Sequence, residues 1–297
     1  MAQQKTIESK ELRTFAATTK RETRLMGAVE RHVLAKPFDE RNMGVIHPSD
    51  IIKPEWCALA QYHALQGNYK EVRDKPGLRL ASIFAEGHTI HAKWQSWLKE
   101  MGVLYGKWYD TKTKDYTWAT SKDLVGYPSN SIEYKEVPLH SSKHMISGHA
   151  DGWVKGLGED FLIEIKSIGA GSIRFEAPRL LTEANNDIEK AWRNIRQPFP
   201  AHMLQGQMYL HLCHLMAEAG ELQAAPKEIV FIYELKANQD YKEFVVTYNY
   251  DYVKEFFDKA LDVAWAVENN RPPLCSIDPV KGCERCEPFK EDANVNL

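Results

Sequence analysis

An α/β sandwich built on a central mixed sheet flanked by helices is the fold class this sequence predicts, and three observations predict it. Segments with helical and strand-like patterning follow one another as helix, hairpin, helix, two strands, helix, an order that suits a sheet covered by helices. Hydrophobic residues make up 43% and charged residues 27% of 297 positions, enough apolar surface for one large core. No internal repeat or low-complexity tract interrupts the pattern.

Each element has a local reason. Residues 8–35 carry helical spacing and mixed charge, so residues 1–44 are expected to form a helical N-terminal arm ahead of a domain over 45–297. In "HPSDIIKPEWCALAQYHALQG", Ser49 reads as an N-cap for a helix that carries Cys57 and ends near Gly67. "NYKEVRDKPG" reads as a loop, and "LRLASIFAEGHTIHAKWQSWLKEMG" as a long amphipathic helix stopped at Gly102. Residues 103–138 hold short strand-like pieces, and a hairpin is expected over about 144–167. The stretch "SIGAGSIRFEAPRLLTEANNDIEKAWRNIRQP" reads as a Gly-rich loop and a charged surface segment. "AHMLQGQMYLHLCHLMAEAG" follows as a helix, "KEIVFIYEL" and "KEFVVTYNY" as strands, and "DYVKEFFDKALDVAWAVENN" as a helix before a cysteine-bearing tail.

Composition also excludes classes. The first residues are charged where a leader would be apolar, and nowhere do 18 apolar residues run together, so a soluble intracellular chain is expected. A net charge of −3 gives no global attraction for polyanions, although a local basic stripe would suffice for one. Between Lys5 and Lys36 there are eight Lys or Arg against four Glu, either a solvated helix face or a nucleic-acid contact. Five cysteines, an odd number, speak against a disulfide framework, and three of them, Cys275, Cys283 and Cys286, crowd into one short C-terminal stretch.

The chemistry gathers in "SGHADGWVKGLGEDFLIEIKS", residues 147–167, where Asp151, Glu164 and Lys166 interrupt an apolar hairpin. Residues two apart on a strand share a face, so Glu164 and Lys166 project together while Ile163 and Ile165 point into the core. A turn near Gly156–Asp160 brings Asp151 close to Glu164. Two carboxylates about 4 Å apart repel by roughly 4 kcal/mol at an effective dielectric near 20, which calls for a shared proton or a cation. Oxygen donors of this kind suit Mg²⁺ or Mn²⁺, and with a lysine beside them they form the inventory for phosphodiester hydrolysis. An ExK on a strand is also common as a solvated outer face.

Three companions add weight. His91, four residues after Gly87 in "EGHTIHAKW", offers a nitrogen donor from a helix. Gln205 and Tyr209 share one helix face in "HMLQGQMYL" and can hold the lysine or touch a phosphate. Cys57 lies far upstream of the three clustered cysteines, and four thiolates satisfy either tetrahedral zinc or an iron-sulfur cluster. His88 reads as structural or supporting, Cys213 as core, and Trp94, Trp97, Trp153, Trp192 and Trp265 as packing residues rather than base-stacking ones. Among these, Trp192, in the basic "EKAWRNIRQ", is the one with an exposed, base-stacking alternative. The absence of GxxxxGK argues against an NTP motor.

Taken in order, GxxxH at 87–91, GHADG at 148–152, IEIK at 163–166 and QxxxY at 205–209 resemble the RecB-type branch of the PD-(D/E)XK nucleases. The cysteines at both ends resemble its iron-sulfur members, including CRISPR-adaptation exonucleases and related phage proteins. The resemblance runs from about His47 to Cys286 and implies a restriction-endonuclease-like core. It implies His91, Asp151, Glu164 and the backbone carbonyl of Ile165 as ligands of Mg²⁺ or Mn²⁺. Lys166 would position the attacking water, with Gln205 and Tyr209 supporting the site. It further implies a 4Fe-4S cluster on Cys57, Cys275, Cys283 and Cys286, pinning the chain ends together, although seven residues between Cys275 and Cys283 depart from the usual spacing and leave Zn²⁺ open.

The activity so implied is that of a metal-dependent DNA exonuclease acting on ends or single strands in recombination, repair or phage DNA metabolism. Its setting would be the cytoplasm of a bacterial or phage-infected cell, with DNA and recombination or replication proteins as partners and no membrane. The other expectation is a catalytically silent DNA-binding or recombination accessory protein with a structural metal. A third is a zinc-stapled protein whose hairpin charges lie on its surface.

Overall fold

The structure is a computed structural model that describes residues 25–36, 42–68, 77–124, 126–127, 131–277 and 283–289. Its contacts divide into two units, Met1–Glu40 with Arg73–Ala85 and Arg41–Val72 with Glu86–Leu297. The first unit contains helix α1 (Met26–Ala35) and the opening turns of a long helix beginning at Leu78. The remainder of the expected N-terminal arm and most of the "NYKEVRDKPG" loop lie outside the described residues.

In the second unit, α2 (Pro48–Ile51) starts with His47 at the N-cap position and Pro48 in the first turn, where its fixed φ and missing N–H cost nothing. Ser49 is therefore not the N-cap expected. Residues Ile52–Trp56, with Pro54 among them, break the helix, and Cys57 in extended conformation stands just before α3 (Ala58–Leu65) rather than on it. The long helix α4 (Leu78–Glu100) ends before Gly102, whose φ of +78° suits glycine.

The strands are β1 (Leu104–Asp110), β2 (Tyr116–Thr120), β3 (Ile132–Lys135), β4 (Val137–Ser141), β5 (Ile146–Ala150), β6 (Gly152–Val154) and β7 (Phe161–Ile168). Three short helices follow, α5 (Ala170–Glu176), α6 (Pro178–Glu183) and α7 (Ile188–Asn194), then α8 (Pro200–Glu218). Last come β8 (Glu228–Leu235), β9 (Tyr241–Thr247) and α9 (Lys254–Glu268).

The main sheet runs β2-β1-β6-β7-β8-β9, with β3 also paired to β1. Only the β7–β8 ladder is parallel among the described pairs, so the sheet is mixed, as expected. The parallel step requires a long crossover, which α5 to α8 supply. No helix among the described residues is long and apolar enough to cross a membrane.

Two expectations fail here for physical reasons. The single hairpin over 144–167 is shared between two ladders: β5 pairs with β4, and after a bend at Asp151 the chain continues as β6 against β7. Because β6 stops at Gly152, opposite Ile163, the edge of β7 beyond that residue is left open. The segment after β7 is helical and partly core. Ile173, Leu181, Ala191, Trp192 and Ile195 are buried, and Trp192 Nε1 donates to Asp240 Oδ2 at 2.8 Å, so Trp192 packs as expected and its stacking alternative falls away. Pro178 and the positive φ of Asn185 and Asn186 cut the helical run into pieces too short to read as periodic.

β7 is buried on both faces, as the inner strand of an α/β sheet should be. Leu162 and Ile168 join the main core, while Ile163 and Ile165 pack with Ile90, Val103, Val154 and Val230 beneath α4. On the opposite face a Cβ at Gly206 would come 2.5 Å from Phe231 Cζ, so glycine permits α8 to lie close on β8. Cys213 is core as expected, and so is Trp153, whereas Trp97 and Trp265 are 46% and 53% exposed rather than packed away.

Candidate active site

The open edge of β7 organises the charged residues. The Ile168 carbonyl accepts from Lys236 N–H on the β8 side, so even-numbered residues of β7 turn their backbone groups toward β8. Ile165 therefore turns its own toward the vacated edge, where its N–H donates to Asp151 Oδ2 at 2.6 Å. Its carbonyl lies on that same edge, beside Asp151. Gln95, one turn beyond His91 on α4, donates to the Asp151 carbonyl at 2.9 Å and fixes the bend.

His91 reaches the same carboxylate from α4, with Nδ1 3.2 Å from Asp151 Oδ1. Glu136 completes a group of three, with donor atoms of His91, Glu136 and Asp151 all within 4.8 Å of one another. Glu164 is buried alongside, one oxygen 2.8 Å from Lys166 Nζ and the other without a hydrogen-bond partner. Lys166 Nζ also donates to Gln205 Oε1 at 3.0 Å, and Gln205 Nε2 donates to Tyr209 OH at 2.8 Å. The residues read from the sequence thus converge, Gln205 and Tyr209 from α8 and His91 from α4. His88 does not join them and is exposed to solvent.

Glu136 was not legible as a site residue. It follows β3 with no recognisable spacing to the other acids, but the β4–β5 register provides the signal. Val137 pairs with Ala150, so one step further sets Glu136 opposite Asp151. A two-strand reading of "EVPLHSSKHMISGHAD" finds the pair.

The electrostatics favour a cation. Burial, then the Asp151 charge, pushes Glu136 up to about 7, even though its side chain retains access to solvent through a cleft. Burial raises Glu164 as well, reinforced by Asp151 and opposed by Lys166. At His91 burial works downward but is outweighed by the hydrogen bond to Asp151 together with the charges of Asp151 and Glu164, so its pKa lies above the ordinary value. At Lys166 burial again works downward and is outweighed by Glu164, which keeps the ammonium charged. Two crowded carboxylates and an imidazole, with a strand carbonyl and the unpartnered oxygen of Glu164 alongside, fit a hard divalent ion in the class of Mg²⁺ or Mn²⁺.

The cysteines converge elsewhere. The sulfurs of Cys57, Cys275, Cys283 and Cys286 all lie within 4.8 Å of one another, with Cys57 and Cys275 at 3.6 Å. Ser276 ties the C-terminal strap to the start of α3, accepting from Ala58 N–H at 3.0 Å and donating to the Trp56 carbonyl at 2.9 Å. Burial pushes the Cys57 thiol up to about 11, whereas at Cys283 burial is outweighed by hydrogen bonds from Cys286 and the neighbouring thiols, which hold it below the ordinary value; four thiolates together here would need a cation to neutralise them. Four thiolates around a single ion at about 2.3 Å stand about 3.8 Å apart.

No family model matches the chain, and no curated protein matches it. Among solved structures, the chain is similar to that described as "Crystal structure of SSO0001", at 12% identity and a TM-score of 0.35 over 90% of this chain and 96% of that one. It is also similar to an alkaline exonuclease, LHK-Exo, from Laribacter hongkongensis, at 12% identity and a TM-score of 0.41 over 77% and 90% of the two chains. The same exonuclease in complex with dAMP gives 13% identity and a TM-score of 0.39 over the same shares. Likeness this remote assigns no function to the chain.

Proposed function

We propose that this chain is a divalent-metal-dependent deoxyribonuclease with a restriction-endonuclease-like core, acting as an exonuclease on DNA ends or single strands. The observation that carries the reading is the convergence of His91, Glu136 and Asp151 at an open strand edge, with buried Glu164 interacting electrostatically with Asp151 and Lys166 held against Glu164. His91, Asp151, Glu164 and the Ile165 carbonyl are the proposed metal ligands, to which Glu136 is added. A bound Mg²⁺ or Mn²⁺ would lower the pKa of water and offset charge on the phosphate.

The protein's own residues do the rest. Lys166 orients the attacking water and stabilises the negative charge that grows on the phosphate oxygens. Gln205 fixes the Lys166 ammonium, and Tyr209 fixes the Gln205 amide in turn. The tyrosine stays protonated, since burial holds its pKa well above the ordinary value. The intact Asp151, Glu164 and Lys166 set speaks against the silent accessory reading. Substrate DNA in recombination, repair or phage DNA metabolism, alongside recombination or replication proteins, completes the proposal.

The cysteine group has a structural role in this reading, joining the two ends of the domain. The family resemblance implies a 4Fe-4S cluster, whose thiolates each bind a different iron corner and so stand farther apart than four ligands of a single ion. The closer spacing here supports Zn²⁺ instead. Metal analysis separates the two: one zinc in a colourless protein, or four iron with sulfide in a brown one.

The catalytic proposal is tested by incubating anaerobically purified protein with end-labelled single- and double-stranded DNA in Mg²⁺, Mn²⁺ or chelator. Mononucleotide or short-oligonucleotide release with either cation, abolished by chelation, is expected. Cleavage that survives chelation would refute it.

A further inference from the structure

The solvent-facing side of the three strands β2-β1-β3 is furnished unlike an ordinary sheet surface. Lys107 and Lys135 are direct cross-strand partners, two like charges set opposite each other where pairing of this kind is destabilising. Lys107 has no carboxylate partner among the described residues and lies 4.2 Å from the centre of the Tyr116 ring. Lys135 lies 5.7 Å from the centre of the Tyr109 ring and pairs with exposed Glu133 at 2.9 Å, a pairing that an incoming anion displaces at little cost.

Aromatic rings interleave with these cations. Tyr116 and Trp118 are 54% and 43% exposed, Tyr116 lies 5.0 Å from Tyr109, and Trp118 lies 5.9 Å from Tyr105. The other side of the same strands, with Leu104, Trp108 and Ile132, is sealed in a small core, so the ring-bearing side is fixed in place. A cleft of about 500 Å³ is lined by Lys107, Tyr116 and Lys135 of this face together with Gln95, His149 and Glu136, the last a member of the carboxylate group. The cleft therefore joins Lys107, Tyr116 and Lys135 of the face to Glu136 of the site.

We propose that the β2-β1-β3 face is the track for the single DNA strand that runs into the carboxylate group, Lys107 and Lys135 binding its phosphates and Tyr116 and Trp118 stacking its bases. An exposed sheet with aromatic side chains is a platform for two or three unstacked bases, and interleaved cations supply the phosphate contacts. Paired duplex bases present no free face to such rings, so the track selects single strands. The identity of the strand as substrate rests on the nuclease reading.

The test measures binding of a fluorescein-labelled 12-nucleotide oligo-dT by anisotropy, in chelator and across a salt series, with turnover in Mg²⁺ or Mn²⁺ measured separately on the wild type. The Lys107→Ala/Lys135→Ala double variant is expected to bind about tenfold more weakly and to lower the salt slope by about 1.4, each lost phosphate contact in a single strand contributing about 0.7. Tyr116→Ala/Trp118→Ala is expected to lose about tenfold or more with the slope unchanged, because stacking is insensitive to salt. Lys107→Arg/Lys135→Arg and Trp118→Phe, which keep charge or ring, are expected to stay within about threefold of the wild type.

Alanine variants with wild-type affinity and slope overturn the track, even where the wild type cleaves DNA. Losses as expected in a wild-type protein that binds but never cleaves uphold the track and sink the nuclease reading. A wild type that does not bind oligo-dT overturns the track, and the nuclease reading falls with it only where the wild type also fails to cleave single- and double-stranded DNA.

Discussion

Replacing Cys57 with serine removes one of four sulfur donors while barely changing the volume of a side chain that is 2% exposed. Cys57 and Cys275 are 218 residues apart, so a metal shared between them closes nearly the whole domain into one loop. Closing a loop of that length removes unfolded-chain entropy equivalent to about 5 kcal/mol at 25 °C. The strap keeps its Ser276 hydrogen bonds in the variant, so the expected loss is about 3–5 kcal/mol. That is a large share of a domain's typical stability. Urea unfolding of the metal-loaded wild type and of Cys57→Ser, with metal content measured on both, gives the difference directly. The strap after Arg271 should also become open to protease before the rest of the domain. A variant that has lost its metal yet unfolds within about 1 kcal/mol of the wild type would refute the clamp.

Three further outcomes are expected from the site and its supports. Because burial and Asp151 raise Glu136 to about 7, metal-free protein holds a proton there that the unfolded chain releases nearer pH 4.5, and stability from this group declines as pH rises between those values. A cation must displace the same proton, so Mn²⁺ affinity measured by calorimetry should climb with pH up to about 7 and level off above it. Glu136→Gln should weaken binding about tenfold or more and make the climb shallower, and an unchanged profile would remove Glu136 from the ligand set. Glu234 is buried against Lys93 Nζ at 2.5 Å and Trp94 Nε1 at 2.6 Å, so Glu234→Ala should cost about 3 kcal/mol in denaturant unfolding by leaving both donors unpaired. Gly206→Ala should cost about 1–3 kcal/mol and slow turnover as well, since a Cβ there pushes α8 off Phe231 and carries Gln205 away from Lys166.

How much of this was legible in the sequence depends on how local the cause was. The period-2 pattern of "FLIEIKS" gave away Ile163 and Ile165 as core and Glu164 with Lys166 as a shared face, because a strand's geometry fixes both. The QxxxY spacing likewise placed Gln205 beside Tyr209, four residues being one helical turn. The division of the expected hairpin at Asp151 was not local, since a strand changing partners leaves no mark in side-chain periodicity. Glu136 was hidden for the same reason, its nearness to Asp151 depending on register across β4 and β5. The helices after β7 were missed because Pro178 and two asparagines divide a buried face into runs of about two turns. Trp192 illustrates the consequence, its basic neighbours suggesting exposure while the ring fills the main core.

Lys166 gives the most direct test of the central claim, because its role is catalytic and its removal leaves the proposed metal ligands in place. Single-turnover cleavage of end-labelled single-stranded DNA in Mn²⁺ should fall at least about 100-fold in Lys166→Ala, the scale for losing one preorganised charge-stabilising donor. Mn²⁺ affinity of the same protein, measured by calorimetry, should remain within a few-fold of the wild type. Cleavage by Lys166→Ala at the wild-type rate, with Mn²⁺ bound normally, would contradict the proposed hydrolytic centre.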